Sequence, residues 1–190
     1  MLESISRDPW FWAFLATMGW GLGIGFVGTK KIGRSLAFGL VMFMLAEVPR
    51  LILPLAFVSQ PRIPSTHLFF LIGVIILAGS LFFGTPVFRI NPLTGPNQEE
   101  PLRTDGLYSI IRHPLMLCDI FWPLGWSLLL GSSIGILLTP VWLLMIWILT
   151  FAEEESLVRE YGDAYRQFQS HVPRLFPRFL SFGGKRHAIR

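Results

Sequence analysis

Five long apolar runs restrict how this chain can fold more than any other feature of its sequence. They cover Trp10–Val27, Leu36–Val58, Leu68–Phe88, Leu115–Leu130 and Ile134–Phe151. Roughly 20 apolar residues allow a helix to cross the ~30 Å hydrocarbon core of a bilayer. Charged residues make up only 15% of the 190 residues, whereas soluble domains usually contain about 25%. The sequence therefore predicts an all-α integral membrane protein with about five transmembrane helices.

The C-terminal half should contain two further elements. Three residues, Gly131–Ser133, separate the fourth and fifth runs, and so short a connection predicts a helical hairpin. Farther along the chain, apolar residues recur at helical spacing: Leu157, Tyr161, Tyr165, Phe168 and Val172. This periodicity places them on one face of a helix. We expect an amphipathic cytoplasmic helix over Glu153–Val172, continuing from the fifth run along the membrane surface.

The positions of Lys and Arg predict the orientation, because short cytoplasmic loops carry an excess of basic residues. The first loop contains Lys30, Lys31 and Arg34, whereas the second contains only Arg62. The third loop and the tail hold most of the others: Arg89, Arg103, Arg112, Arg159, Arg166, Arg174, Arg178, Lys185, Arg186 and Arg190. We therefore expect a multi-pass protein with its N-terminus outside and its C-terminus in the cytoplasm.

Three charged residues lie inside the apolar runs. Glu47 and Arg50 are three residues apart and so share one helix face, and Asp119 lies near the start of the fourth run. Ionisable residues at membrane depth mark a functional site or form an internal ion pair, and both interpretations stay open. Cys118 is the single cysteine, which excludes an internal disulfide, and no Cys/His pattern predicts a metal site. No nucleic-acid-binding motif is present.

Polar motifs gather on the predicted cytoplasmic side. Thr104–Tyr108 and Arg112–Pro114 precede the fourth run, and Glu153–Glu155 follows the fifth. His113 and Glu153 are 40 residues apart, but a helical hairpin would return them to the same membrane face. Basic residues at a membrane boundary and a solvated helix segment would each explain one motif alone. Their combination indicates a functional site.

The pattern from about Arg103 to Pro177 resembles the membrane methyltransferases that include isoprenylcysteine carboxyl methyltransferase and phospholipid N-methyltransferases. The motifs that carry the resemblance are Gly106-Leu-Tyr108, Arg112-His-Pro-Leu-Met-Leu-Cys118, Glu153-Glu154, Tyr161-Gly-Asp-Ala-Tyr165 and Arg174-Leu-Phe-Pro177. The resemblance implies methyl transfer from S-adenosylmethionine to a small lipophilic or lipid acceptor at the cytoplasmic membrane face. We expect one structural domain overall, with an N-terminal three-span membrane region, residues 1–88, and a C-terminal cofactor-binding region, residues 89–190.

By similarity, the cofactor would lie between the Arg112-His-Pro segment and the glutamate pair. The residues that the resemblance implies as cofactor contacts are Tyr108, His113, Pro114, Met116, Leu117, Glu153 and Glu154. Arg112 and Glu154 are the implied catalytic residues. Membrane lipid is an expected partner, and nucleic acid is not. The sequence leaves the oligomeric state open.

The chain departs from the family pattern at three positions. Met116 and Cys118 stand where the family has Tyr and Gly, and Leu149 stands where carboxyl-methylating members have an arginine. A lipid amine, a thiol or a phenol is therefore a more suitable acceptor than a carboxylate, which would need a cation. Two alternatives stay open. One is an NADPH-dependent membrane reductase of sterol-reductase-like architecture, in which Arg103, Arg112 and Arg174 would bind the 2′-phosphate, and the other is a non-catalytic membrane scaffold.

Overall fold

A computed structural model describes residues 2–27, 36–64, 66–88 and 102–177, and within these ranges the protein consists of helices and connecting segments without a β-strand. The helices are α1 (Leu2–Arg7), α2 (Pro9–Val27), α3 (Leu36–Ile52), α4 (His67–Phe88), α5 (Pro114–Leu129), α6 (Ser133–Tyr161) and α7 (Asp163–His171). A 3₁₀ turn covers Gly106–Ser109. The all-α prediction is confirmed.

Helices α2 to α6 each begin within one residue of a predicted apolar run. The second run was predicted to continue to Val58, but α3 ends at Ile52. Pro54 explains the difference, because the residue before a proline is disfavoured in helical conformation. The fifth run was predicted to end at Phe151, whereas α6 continues through the glutamates to Tyr161.

One described helix, α6, is long and apolar enough to span a membrane by length and composition. Shorter apolar helical stretches occur at His67–Phe82 and Pro114–Leu129. The count of five spans, the hairpin arrangement in a membrane and the orientation stay predictions. The first basic loop, most of the third loop and the last part of the basic tail correspond to residues 28–35, 89–101 and 178–190, which lie outside the described residues.

The prediction of one continuous helix over Glu153–Val172 is wrong. Helix α6 ends at Tyr161, and Gly162 separates it from α7 with φ 58° and ψ −128°. Glycine reaches this backbone conformation readily because it has no Cβ.

The apolar face predicted in this region does exist, but it packs within the protein. Tyr165, Phe168 and Val172 of α7 and the segment after it form a buried cluster with partly buried residues of α6 and of the 3₁₀ turn. Tyr108 belongs to the same cluster. The break at Gly162 therefore turns α7 back toward the segment that precedes α5.

Close helix contacts depend on glycine at two places. A Cβ on Gly125 of α5 would lie 2.6 Å from the backbone nitrogen of Leu77 in α4, and a Cβ on Gly19 of α2 would lie 2.6 Å from that of Ala46 in α3. Both distances are shorter than van der Waals contact. Glycine thus lets α4 approach α5, and α2 approach α3, backbone against backbone.

Two apolar cores occupy the helix interfaces. The first contains Trp20, Ala46, Ile120, Ile146, Leu149 and Leu175. The second contains Ala16, Leu53, Val58, Ile134 and Trp142. The first core links the α2–α3 pair to α5, α6 and the segment after α7, and it therefore supports the functional motifs.

Candidate active site

The beginning of α5 brings the two polar motifs into contact. Pro114 is the first helical residue, and His113 is the N-cap without a side-chain capping bond. Proline suits this position because its fixed φ is helical and the first N–H of a helix has no partner. The His113 ring faces α6 instead: its Nε2 lies 3.1 Å from Glu154 Oε1 and its Nδ1 lies 3.2 Å from Glu153 Oε2. Residues 40 positions apart in sequence therefore form one site.

Glu154 is at the centre of this site and is almost completely buried, with 3% of its surface exposed. Its Oε1 lies 2.8 Å from Arg112 Nη2 and 3.1 Å from His113 Nε2. Its Oε2 accepts from Arg174 Nη2 at 2.6 Å and from Gln169 Nε2 at 3.1 Å. A carboxylate has about four acceptor positions, so the protein itself occupies them all.

We call the following five residues the ion-pair cluster: Arg112, His113, Glu153, Glu154 and Arg174. The charges of these residues set the protonation states of His113 and Glu154. Burial alone would lower the pKa of His113, but hydrogen bonds and charges of Glu153 and Glu154 raise this pKa to about 9. Burial alone would raise the pKa of Glu154, but hydrogen bonds from His113 and Arg174 and the charges of Arg112 and Arg174 lower it to about 2. The imidazole is therefore a cation at neutral pH.

The segment after α7 holds Arg112 and His113 through backbone contacts. The Arg112 N–H donates to the Pro173 carbonyl at 2.9 Å, and the His113 N–H donates to the Arg174 carbonyl at 3.1 Å. Arg112 Nη1 also donates to the carbonyls of Gln169 and Val172, at 2.7 and 3.0 Å. These carbonyls belong to the end of α7, where helical partners are missing, so Arg112 caps that helix.

Sequence reasoning missed the positions of Gln169 and Arg174 in the site. Arg174 was noted only for the orientation, the resemblance and the reductase alternative, and Gln169 carried no signal. The side chain of Arg174 packs on α6, with Cζ 3.6 Å from the centre of the Phe151 ring and 5.6 Å from that of Trp147. A cation therefore reaches the helical turn in which Leu149 replaces the family arginine.

Leu149 points into the first apolar core and is 7% exposed. Met116 packs against the same core from α5. The Met116 and Leu149 positions, two of the departures from the family pattern, therefore meet in one apolar layer next to the ion-pair cluster.

The remaining predicted contacts surround the cluster. Tyr108 lies in the 3₁₀ turn, and burial together with the charge of Glu153 raises the pKa of its hydroxyl. The Leu117 N–H already donates to the His113 carbonyl at 3.2 Å. Because Pro114 has no N–H, Leu115 and Met116 supply the first helical donors that lack an internal partner. The Glu153 side chain remains 40% exposed.

Glu47, Arg50 and Asp119 do not join the ion-pair cluster. Instead, Arg50 Nη1 donates to Glu47 Oε1 at 2.6 Å, and Arg50 Nη2 donates to the Asp119 carbonyl. Their prediction as a possible internal ion pair is confirmed for Glu47 and Arg50. Among the described residues, no group of three His, Cys, Asp or Glu residues could hold a metal ion.

The family model for phospholipid methyltransferases matches residues 68–164, which is just over half of the chain. The match includes α4, α5, α6 and the four cluster residues from Arg112 to Glu154.

Two curated relatives are similar over part of their length. Protein-S-isoprenylcysteine O-methyltransferase of Schizosaccharomyces pombe is 35% identical over 82 residues, which are 43% of this chain and 35% of the relative. Methanethiol S-methyltransferase 2 of Bradyrhizobium diazoefficiens is 33% identical over 96 residues, which are 50% of this chain and 34% of the relative. The matched part thus spans about a third of each relative. No solved structure matches the chain significantly. From the family match and the motifs that it contains, we conclude that the chain belongs to the phospholipid methyltransferase family.

Proposed function

We propose that this protein transfers a methyl group from S-adenosylmethionine to a small lipophilic or lipid acceptor at the cytoplasmic membrane face. One observation carries the proposal: Arg112 and His113 of one motif contact Glu153 and Glu154 of the other within 3.2 Å. This contact lies within the matched region of a methyltransferase family, and both relatives are named methyltransferases.

The polar groups around the cluster suit this cofactor. S-adenosylmethionine carries two cationic groups and ribose hydroxyls, for which the exposed part of Glu153 is a suitable acceptor. It also carries a carboxylate, which the N-terminal end of a helix can bind. In the proposal, the N–H groups of Leu115 and Met116 at the start of α5 provide that site. Arg112 Nε is buried and has no partner among the described residues.

The side chains have separate roles in this proposal. Glu153 binds the cofactor, whereas Glu154 positions Arg112, His113 and Arg174 because its acceptor positions are occupied. This revises the catalytic role predicted for Glu154. His113 orients the two carboxylates and is a poor general base, since its pKa of about 9 keeps it protonated.

The bound cofactor supplies an electrophilic methyl group, and methyl transfer is an in-line displacement. The protein therefore contributes mainly orientation and exclusion of water. Leu149 and Met116 in the adjoining apolar layer would contact a lipophilic acceptor. Arg174 is engaged with Glu154 at 2.6 Å, so a carboxylate acceptor would have to displace that bond. We therefore favour a thiol or an amine acceptor over a carboxylate.

Calorimetric titration of S-adenosylhomocysteine into the detergent-purified protein tests the proposal. We expect binding, and we expect Glu153→Ala to weaken it by roughly a factor of ten or more, as for loss of a charge-assisted hydrogen bond. Glu155→Ala is the matched control, because the Glu155 side chain is 75% exposed and, among the described residues, pairs with Arg159 alone. Absence of binding at millimolar ligand would refute the proposal. Thermal stabilisation by NADPH alone would favour the reductase instead.

A further inference from the structure

We propose that Arg50 is a positioning residue for the methyl-transfer site, because its guanidinium holds the N-terminal half of α5 at a carbonyl that Pro123 leaves without a helical donor. The inference rests on the proposed function for its consequence, but not for the contact itself. Arg50 lies in α3, outside the region matched by the family model.

Pro123 creates the need for this contact. It lies inside α5 and has no N–H, so the carbonyl four residues earlier, that of Asp119, lacks its normal helical donor. A buried carbonyl without a donor is destabilising, and a proline inside a helix is a common hinge. The sequence alone therefore marks Asp119–Pro123 as a weak point of α5.

Arg50 supplies the missing donor. Its Nη2 donates to the Asp119 carbonyl, while its Nη1 donates to Glu47 Oε1 at 2.6 Å. Glu47 in turn accepts from Trp122 Nε1 at 3.1 Å. Two polar contacts thus join α3 to α5 next to Pro123, one through the guanidinium and one through the carboxylate.

Aromatic rings hold the guanidinium in place. Its Cζ lies 5.5 Å from the ring centre of Trp20, 5.5 Å from that of Trp122 and 5.3 Å from that of Trp142. These rings come from α2, α5 and α6, and Arg50 is only 1% exposed. Cation–π contacts of this kind are strongest where water is excluded. Arg50 therefore contacts all the helices that surround the first apolar core.

The N-terminal half of α5 is the part that carries His113, Met116 and the free N–H groups. Asp119 follows His113 by six residues, which is about 9 Å along a helix. Besides Arg50, Ser80 of α4 fixes this half by donating to the Cys118 carbonyl at 2.9 Å. If the Arg50 contact is lost, bending at Pro123 should move His113 relative to Glu153.

The test uses variants that avoid leaving Glu47 buried without its cation. Glu47→Gln/Arg50→Met removes both charges and keeps an acceptor for Trp122, and buried pairs can often be replaced in this way without loss of stability. Pro123→Ala is then added. The alanine that it introduces has a backbone N–H, which can donate to the Asp119 carbonyl in place of Arg50. Should the double variant fail to fold, Arg50→Lys serves with the same Pro123→Ala rescue, because one ammonium cannot replace both arms of the guanidinium.

Two quantities are measured for each variant. The first is the affinity for S-adenosylhomocysteine. The second is the rate at which a maleimide modifies Cys118, the only cysteine in the sequence, which is buried and precedes Asp119 directly. Circular dichroism during heating verifies that each variant is folded.

We expect Glu47→Gln/Arg50→Met to weaken S-adenosylhomocysteine binding roughly tenfold, as for a displaced binding group. We expect modification of Cys118 to become roughly tenfold faster, as local opening becomes easier. Pro123→Ala should reverse most of both changes. A folded double variant with unchanged binding and labelling would overturn the inference, as would failure of Pro123→Ala to restore them. If the unmodified protein binds no S-adenosylhomocysteine, the proposed function fails, and the labelling rates still decide whether Arg50 holds α5.

Discussion

Among the described residues, buried Arg–Glu pairs occur at two sites that differ in what they leave accessible. In the interior pair, Arg50 is 1% exposed and Glu47 is 9% exposed. In the ion-pair cluster, Glu154 is 3% exposed, but the neighbouring Glu153 side chain is 40% exposed. Similar chemistry thus joins helices in one place and leaves a neighbouring carboxylate accessible in the other.

The pairs also differ in charge and in sequence context. The interior pair is one cation and one anion within α3, three residues apart. The ion-pair cluster combines three cationic groups with two carboxylates and joins α5, α6 and the segment after α7. Only the cluster lies mainly within the family match. A fully buried ion pair is sufficient to hold helices together. A binding site also needs a polar group that stays accessible in the folded protein.

Removal of Glu154 should have the largest effect on stability. Glu154→Ala would leave Arg112, His113 and Arg174 close together without their shared anion, and loss of one partner from a buried pair costs about 3–5 kcal/mol. We expect a loss of about 5 kcal/mol in the free energy of unfolding, measured with denaturant in detergent. Glu155→Ala should change it by less than about 0.5 kcal/mol, since exposed pairs contribute little. A small effect of Glu154→Ala would show that the cluster is not a structural centre.

The interior pair should show a different pattern when one or both charges are removed. Arg50→Met leaves Glu47 buried without its partner, and we expect a loss of about 3 kcal/mol. Glu47→Gln/Arg50→Met should lose less than about 1 kcal/mol, because neither residue then carries a charge. Thermal and denaturant unfolding of the two variants measures the difference. If the double variant were as unstable as the single one, the pair would stabilise the protein by more than the neutralisation of one buried charge by the other.

The ion-pair cluster should make stability depend on pH above neutrality. Its neighbours raise the pKa of His113 from 6.5 to about 9. Because the folded-state pKa is the higher one, the stabilisation is complete below pH about 6.5 and is lost as the pH rises through about 9. We expect a loss of roughly 3 kcal/mol over this interval, measured by denaturant unfolding at several pH values.

Variants of both pairs serve as controls for the pH experiment. His113→Gln should abolish most of the slope, since it removes the titrating group. Glu47→Gln/Arg50→Met should keep the slope, because neither residue is among the groups that raise the pKa of His113. A slope that persists in His113→Gln would assign the pH dependence to another group.

Much of the fold could be predicted from hydropathy and from proline. The apolar runs gave the start of α2 to α6 to within one residue, and Pro114 marked the beginning of α5. The short connection at Gly131–Ser133 was enough to predict that His113 and Glu153 meet. These features depend on neighbouring residues in sequence, so periodicity and turn residues reveal them.

The parts that sequence reasoning missed depend on a change of chain direction or on a backbone atom. Gln169 and Arg174 reach Glu154 only because Gly162 breaks the helix. The contact of Arg50 goes to the carbonyl of Asp119, and side-chain patterns do not show backbone acceptors. Pro123 inside the fourth run was the visible sign of that free carbonyl.

The smallest predicted effect concerns the glycine that lets the ion-pair cluster close. Gly162 has φ 58° and no atom within 4 Å of the position of a Cβ, so its requirement for glycine is one of backbone conformation and not of space. Gly162→Ala should destabilise the protein by about 1 kcal/mol, the usual result of placing alanine at positive φ. The matched control is Gly23→Ala in α2, which also has open space but lies within a helix, where alanine is favoured. The temperature of thermal unfolding should change in opposite directions for the two variants.

Because the break turns α7 and Arg174 toward Glu154, Gly162→Ala should also weaken S-adenosylhomocysteine binding, whereas Gly23→Ala should not. Equal shifts in both variants would mean that the cluster closes without help from this turn.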